Sequence, residues 1–387
     1  MSRSRREAGA VKVAHLTSAH APDDVRIYVK ECATLAAAGF DVVVVGPAVV
    51  TQAAGRVPIR GIPSEDVRWR RMLLSPWHVY RAAVRERAAI YHVHDPELLG
   101  VALLLKLRGA RVVYDVHEDL PVQILGKAWI PRPLRRPVGA LAGLVERCVA
   151  AVFDLVVAAT PVIAVRFPAG KTVLVRNMPL LDELVPARGA AFPERPRTAV
   201  YVGAITEQRG ARQMAAAAAL LAEDGVPALV LAGELASEAL RDLPGWPHVR
   251  YVGWQTRAEL RQTLAGVRVG LLPLQPAPNY VTSLPTKLFE YMSAGLPVVA
   301  SDFPLWREIV HGAGCGLLVD PRDPAAIARA VTSLLDEPDR AEVLGARGRA
   351  AVEREYNWPV EGERLVAAYR ALPARARDAG PSGGGRT

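Results

Sequence analysis

Short β-rich runs alternate with helical stretches along this chain; the alternation stops in mid-chain and then starts again. In the first half the expected strands are Lys12–Leu16, Val42–Val45, Ile90–His94, Arg111–Asp115, Leu155–Ala158 and Val173–Val175, with a helix at Ile27–Ala38 ended by Gly39. A looser segment follows from Asp182 to Arg197, and the linker is placed at 186–197. The second set is Ala199–Val202, Ala228–Leu231, Val249–Tyr251, Val269–Leu272, Val298–Ala300 and Leu317–Val319. Strand–helix alternation of this kind calls for a parallel, doubly wound sheet with helices on both faces. The expected fold class is α/β, with two such sheets in tandem facing a cleft. The first domain spans 11–185 after a basic tail at 1–10, and the second spans 198–355. One more amphipathic helix lies at 356–372, before an Arg-, Gly- and Pro-rich tail at 373–387 that reads as disordered. Ligands of such sheets bind beyond the carboxyl ends of the strands, so the residues that matter should follow strands.

A chain of 387 residues is long for one core, which agrees with two domains. No run of about 18 uncharged apolar residues is present; the longest are broken by Asp154 and Lys106. The basic N-terminus leads into VKVAHL, a strand rather than the apolar core of an export signal. Cys32, Cys148 and Cys315 lack pairing or metal spacing, which suits a reducing cytosol. The formal charge of +9 is compatible with nucleic acid, anionic lipid or anionic small molecules. No motif that reads DNA or RNA accompanies it. In PRPLRRPVGALAGLVERCV, Arg132, Arg135, Arg136 and Arg147 flank apolar residues. Two readings fit: a face lying on an acidic membrane surface, or an ordinary solvated basic helix.

The densest signal is LPTKLFEYMSAGLPVVAS, Leu284 to Ser301. Pro285 suits a first helical position, Gly295 a left-handed stop, and Leu296–Ala300 a buried strand. Leu284, Leu288, Tyr291 and Met292 form an apolar stripe. Lys287 sits in the first turn, where the helix dipole disfavours a cation unless an anion is bound there. Glu290 lies one turn on, placed for a hydroxylated group such as a ribose. The competing reading is an i, i+3 surface ion pair of little consequence.

Two strand ends, HVHDPE (His92–Glu97) and DVHED (Asp115–Asp119), bring His94, Asp95, His117, Glu118 and Asp119 to one rim. Such a rim suits a substrate cleft, a divalent metal site, or helix capping by Asp95 and Asp119 over buried histidines. GAITEQRG (Gly203–Gly210) is a strand-to-helix turn whose Arg209 suits a diphosphate. AGKT at Ala169–Thr172 imitates the end of a phosphate-binding loop but precedes a strand and has Val165 where the first glycine belongs. Gly312, Gly314 and Gly316 read as turn glycines.

On FEYMSAGLPVVAS, Arg209 and the histidine strand ends, the chain resembles the glycosyltransferases with two Rossmann-like domains, the GT-B fold. It is most similar to the retaining, nucleotide-sugar-dependent enzymes of family 4, from about Val11 to Leu372. The resemblance implies transfer of a hexose-type sugar from a nucleoside diphosphate sugar of UDP or GDP type to a glycan, lipid-linked or small-molecule hydroxyl. It implies no cofactor and no metal. Glu290 would hold the ribose, Arg209 and Lys287 the diphosphate, and His94 would lie beside the reacting centre or acceptor, with His117 near it. The last helix, with Trp358, would cross back to the first domain. The family's first glutamate, eight residues before Glu290, is Thr282 here, and backbone amides near Ser283 and Leu284 are expected to take part of its role. The usual Arg after the strand glycine is Ala204. Asp23, Asp24 and Arg26 follow the first strand, lining the cleft or an exposed loop. The implied location is cytoplasmic, with a peripheral contact on the inner face of an anionic membrane. Three further readings are a sugar-nucleotide epimerase, a catalytically silent partner of the same fold, and a metal-dependent hydrolase built on His92 and His94.

Overall fold

The computed structural model describes residues 10–47, 57–63, 68–127, 129–185, 191–222 and 228–373, with side chains of 68–71 excepted. Most of the expected N-terminal tail, the C-terminal tail and the first part of the linker at 186–197 lie outside these residues. Contacts divide the chain into two units, Met1–Arg176 with Glu361–Thr387, and Asn177–Val360.

The first unit holds β1 (Lys12–Leu16), β2 (Asp41–Pro47), β3 (Ile59–Ile62), β4 (Ile90–Val93), β5 (Arg111–Val116), β6 (Leu155–Ala158) and β7 (Thr172–Leu174). They form one sheet in the order β3-β2-β1-β4-β5-β6-β7. The second unit holds β8 (Ala199–Val202), β9 (Leu229–Ala232), β10 (Val249–Gly253), β11 (Val269–Leu272), β12 (Val298–Ser301) and β13 (Gly316–Val319), ordered β10-β9-β8-β11-β12-β13. Every pairing is parallel. Central strands β4, β5, β6, β8, β9, β11 and β12 are buried along their whole length, as strands covered on both faces must be. In both sheets the winding reverses beside the first strand, between β1 and β4 and between β8 and β11. Those two points are where a doubly wound sheet opens a crevice for a ligand.

Three local expectations need correction. Edge strand β3 was not expected, because IRGI contains a glycine and is exposed at its centre. The helix after β1 begins at Val25, not Ile27, and Val25–Cys32 is wound as a π-helix before Ala33–Ala37 continues as an α-helix. In a π-helix residues five apart stack, so Arg26 and Glu31 share one inward face. Pro285 caps the helix Thr286–Ser293 from outside instead of opening it, with ψ of 122°.

That last helix is buried nearly all round: Leu288, Phe289, Tyr291 and Met292 have no exposure. Tyr291 lies flat on Gly270 of β11, where a Cβ would fall 2.5 Å from its ring. Its hydroxyl accepts from Val202 N–H at 2.8 Å and donates to Leu271 C=O at 3.3 Å. One phenol thus ties the helix to both strands at the switch point, and Glu290 is the preceding residue. On the other side of the helix, Gly345 brings the helix Pro338–Arg354 against Gly295; a Cβ added at Gly345 would fall 2.1 Å from the Gly295 oxygen. Gly345→Ala is therefore expected to destabilise the second unit by about 1–3 kcal/mol, the usual range for overpacking, as read by urea unfolding.

Candidate active site

At the switch point of the first unit, the residues after β1 meet those after β4 and β5. Asp95 does not cap the turn that follows it. Its carboxylate instead gathers the loop after β1, accepting from Thr17 Oγ1 at 2.8 Å, Ser18 N at 2.6 Å and Ala19 N at 3.2 Å. His20 Nδ1 approaches the other oxygen to 2.7 Å. His20 Nε2 stands 3.3 Å from His117 Nε2, and His117 Nδ1 donates to Asp115 at 3.1 Å. Asp115 also accepts from His94 Nδ1 at 3.2 Å, and His94 Nε2 meets His15 Nδ1 at 2.9 Å. Asp95, His20, His117, Asp115, His94 and His15 thus form one continuous hydrogen-bonded row.

Charges along the row follow from its partners. The hydrogen bond to Asp95 raises His20 to about 9, so it is a cation at neutral pH. Burial would lift Asp115, but the Arg26 guanidinium and the two histidine hydrogen bonds outweigh it and hold it well below the usual carboxylate range. Arg26 grips Asp115 with Nε at 3.0 Å and Nη2 at 2.7 Å and is 5% exposed. It is a buried strut, neither a cleft residue nor an exposed loop residue, and Asp24 caps the π-helix. Burial pushes His94 down despite Asp115. His94 and His117 both line a cavity of about 550 Å³, with His20, Glu118, Gln123, Lys127 and Trp129. Both nitrogens of His94 are engaged and it is 1% exposed, whereas His117 and His20 are partly open.

In the second unit the turn after β8 carries Arg209. Gly210 has φ of +85°, and a Cβ there would fall 2.4 Å from Pro273 C=O, so the turn after β8 lies directly against that after β11. Arg209 Nη1 covers Gly203, and the Tyr280 and Tyr201 phenols beside it raise its pKa against the effect of burial. Lys287 Nζ is 2.9 Å from Glu290 Oε2, so the pair expected as the bland alternative is present. A third member joins it: Arg257 Nη1 is 3.0 Å from Glu290 Oε1, and its other edge holds Glu183. Burial would raise the Glu290 carboxyl; Lys287 and Arg257 reverse this and keep it ionised. Thr282 donates to Pro278 C=O and Ser283 to Tyr280 C=O, while Leu284 packs on the core. The Ser283 amide already donates to Tyr280 C=O at 3.1 Å. Lys171 of the false phosphate loop is bonded to Ala151 and Phe153 carbonyls.

Sequence reading missed Arg257, His20 and His15. His20 and Arg257 follow strands and His15 lies within β1, and the switch-point rule applied to β1 finds His20. Nothing in the sequence pairs Arg257 with Glu290, 33 residues away.

His20 supplies a pH test. Its folded pKa lies above the ordinary 6.5, so the stability it contributes is complete below about pH 6.5 and is lost as pH rises through about 9. Asp95→Asn is expected to return the imidazole titration, followed by NMR, toward 6.5 and to flatten the pH dependence of urea unfolding across that window.

Residues 27–177 match the family model described as glycosyl transferase 4-like domain, and residues 196–337 match glycosyl transferases group 1. Alpha-maltose-1-phosphate synthase of Mycolicibacterium smegmatis is 32% identical over 50% of this chain and 52% of its own length. Phosphatidyl-myo-inositol mannosyltransferase of Mycobacterium leprae is 30% identical over 47% of this chain and 49% of its own. The chain thus spans about half the length of these curated relatives. Among solved structures, sucrose-phosphate synthase from Thermosynechococcus elongatus superposes with a TM-score of 0.75 at 19% identity, covering 94% of this chain and 99% of that one. Anabaena HepE in complex with UDP gives 0.69 at 14% identity, covering 94% and 100%. The chain thus carries a glycosyl transferase 4-like domain followed by a glycosyl transferases group 1 domain, in the GT-B fold it shares with these structures along nearly its whole length.

Proposed function

We propose that the protein transfers a hexose-type sugar from a nucleoside diphosphate sugar to a hydroxyl of a glycan, lipid-linked or small-molecule acceptor, with retention at the anomeric carbon. The observation that carries this reading is the ionised, buried Glu290 between Lys287 and Arg257, within a helix pinned to the β8/β11 switch point. A carboxylate so held is a strong acceptor for ribose hydroxyls. Lys287 and Arg209 supply the positive charge that a departing diphosphate needs, and they leave no step that calls for a metal there. Arg257 positions Glu290 and shares its charge. The donor belongs to the second unit. The acceptor belongs to the cavity of the first, beside His117 and His20, with His94 behind them orienting Asp115. The diphosphate itself would take the acceptor proton. The names of relatives support donors of UDP and GDP type: one structural neighbour was solved with UDP, and another relative is a GDP-mannose-dependent mannosyltransferase of Corynebacterium glutamicum. These relatives give the epimerase reading no support.

The helix Arg132–Ala150 supports an acceptor at a membrane. It buries only small residues and Glu146 on its inner face; Gly143 is pressed to Pro121, where a Cβ would fall 2.6 Å from Cγ. Its large apolar residues, Leu134, Val138, Leu141, Leu144 and Val145, therefore face outward, with Arg132, Arg136 and Arg147 also exposed. Arg135 is turned back onto Ile130 C=O. An outward apolar stripe flanked by arginines fits an anionic bilayer surface. Among the described residues no helix is long and apolar enough to cross a membrane. We place the protein in the cytoplasm, peripheral to the inner leaflet.

Calorimetry with UDP, GDP, ADP and dTDP tests the donor reading. One nucleotide should bind regardless of EDTA, and Glu290→Gln or Arg257→Ala should weaken it roughly 10- to 100-fold, the worth of one or two hydrogen bonds to a charged group. Failure of every nucleotide to bind the wild type would overturn the proposal. For the membrane reading, Leu141→Glu with Val145→Glu should abolish sedimentation with phosphatidylglycerol vesicles and leave nucleotide binding unchanged.

A further inference from the structure

Behind the row of histidines lies a cluster that the transfer chemistry does not use. His15 of β1, His92 and His94 at the end of β4, and Glu31 of the π-helix each offer a ligand atom within 4.8 Å of the others. None is more than 1% exposed.

Hydrogen bonding fixes which electron pairs are free. Asp115 is ionised and accepts the hydrogen bond of His94 Nδ1–H, so His94 Nε2 is an acceptor. His15 Nδ1 must then donate to it, which leaves a lone pair on His15 Nε2. That atom has no hydrogen-bond partner. His92 Nδ1 meets the Tyr369 hydroxyl at 2.8 Å, and its Nε2 likewise has none. Neither Glu31 oxygen is hydrogen-bonded, although Arg26 Nε stands 3.1 Å from Oε1. A buried polar atom left unpaired costs about 1–3 kcal/mol, and four of them lie here in one place.

We propose that His15 Nε2, His92 Nε2 and Glu31 bind one divalent cation of zinc type, a structural ion inside the first unit. Imidazole and carboxylate donors suit that metal. Each imidazole is already oriented through its other nitrogen, His15 by His94 and Asp115, His92 by Tyr369, as histidine ligands of metals are. Tetrahedral ligands of zinc lie about 3.4 Å apart; the candidate atoms lie within 4.8 Å and His92 approaches Glu31 through Nδ1 at 3.8 Å, so binding through Nε2 takes a shift of the His92 ring. The ion would join β1, β4, the π-helix and, through Tyr369, the last helix Trp358–Arg370.

The test uses untagged full-length protein. Elemental analysis should find about one zinc per chain, falling below about a tenth in Glu31→Gln and His92→Gln. Because those variants can fail to fold, wild type is also unfolded with chelator and refolded with or without Co²⁺. The visible absorption of tetrahedral cobalt and a higher melting temperature should appear only with the ion. Wild type without zinc that also refolds without a cobalt spectrum or stabilisation overturns the proposal, and points to a proton shared by Glu31 and His15. Metal retained equally in a folded Glu31→Gln and His92→Gln overturns it as well.

Discussion

Asp115 fixes the geometry of the first unit. It sits with almost no exposure at the end of β5 and accepts from Arg26, His94 and His117. Burying a carboxylate and a guanidinium forfeits much hydration, so the pair is a poor source of net stability. What it contributes is position. Arg26 reaches it with two parallel hydrogen bonds and also donates to Val175 C=O, so the π-helix, β5 and the segment after β7 are set against one another. Removing either partner would leave an uncompensated charge in the core, a far larger loss than the pair is worth.

The second unit solves the same problem without charge. Tyr291 rests on Gly270 and bridges β8 and β11 through its hydroxyl, and the adjacent Glu290 inherits that placement. Lys287 and Arg257 then hold a carboxylate ionised where burial alone would protonate it. Both units put their polar machinery at the reversal of the winding. The first uses histidines and carboxylates, and the second uses cations around one carboxylate.

Much of this was legible in the sequence. Parallel strands buried on both faces read as apolar runs, so each of the expected strands lies within one or two residues of an observed one, and the helix holding Lys287 and Glu290 was visible from its stripe and from Gly295. What sequence did not show depends on long-range pairing. Arg257 reaches Glu290 only once β10 stands beside β9. His20 acquires its charge from Asp95, 75 residues away. The π-winding of Val25–Cys32 carries no local signature, since Arg26 and Glu31 look like surface residues until Asp115 and the histidines surround them. For Arg132–Ala150 the sequence leaves a membrane-facing surface and a solvated basic helix both open, because its glycines do not reveal which side they bury.

The first unit is assembled from both ends of the chain: Glu361 accepts from Arg176 N–H at 2.9 Å, and Tyr369 closes over His92 and Phe40. A ribosome delivers these pieces far apart in time. By the time Tyr369 is made, every strand of both sheets has already emerged or is about to, so the second unit can complete its core while the first still waits for its final helix. Until then the Tyr369 hydroxyl is missing from His92, so the polar interior of the first unit is the last part of the fold to be completed.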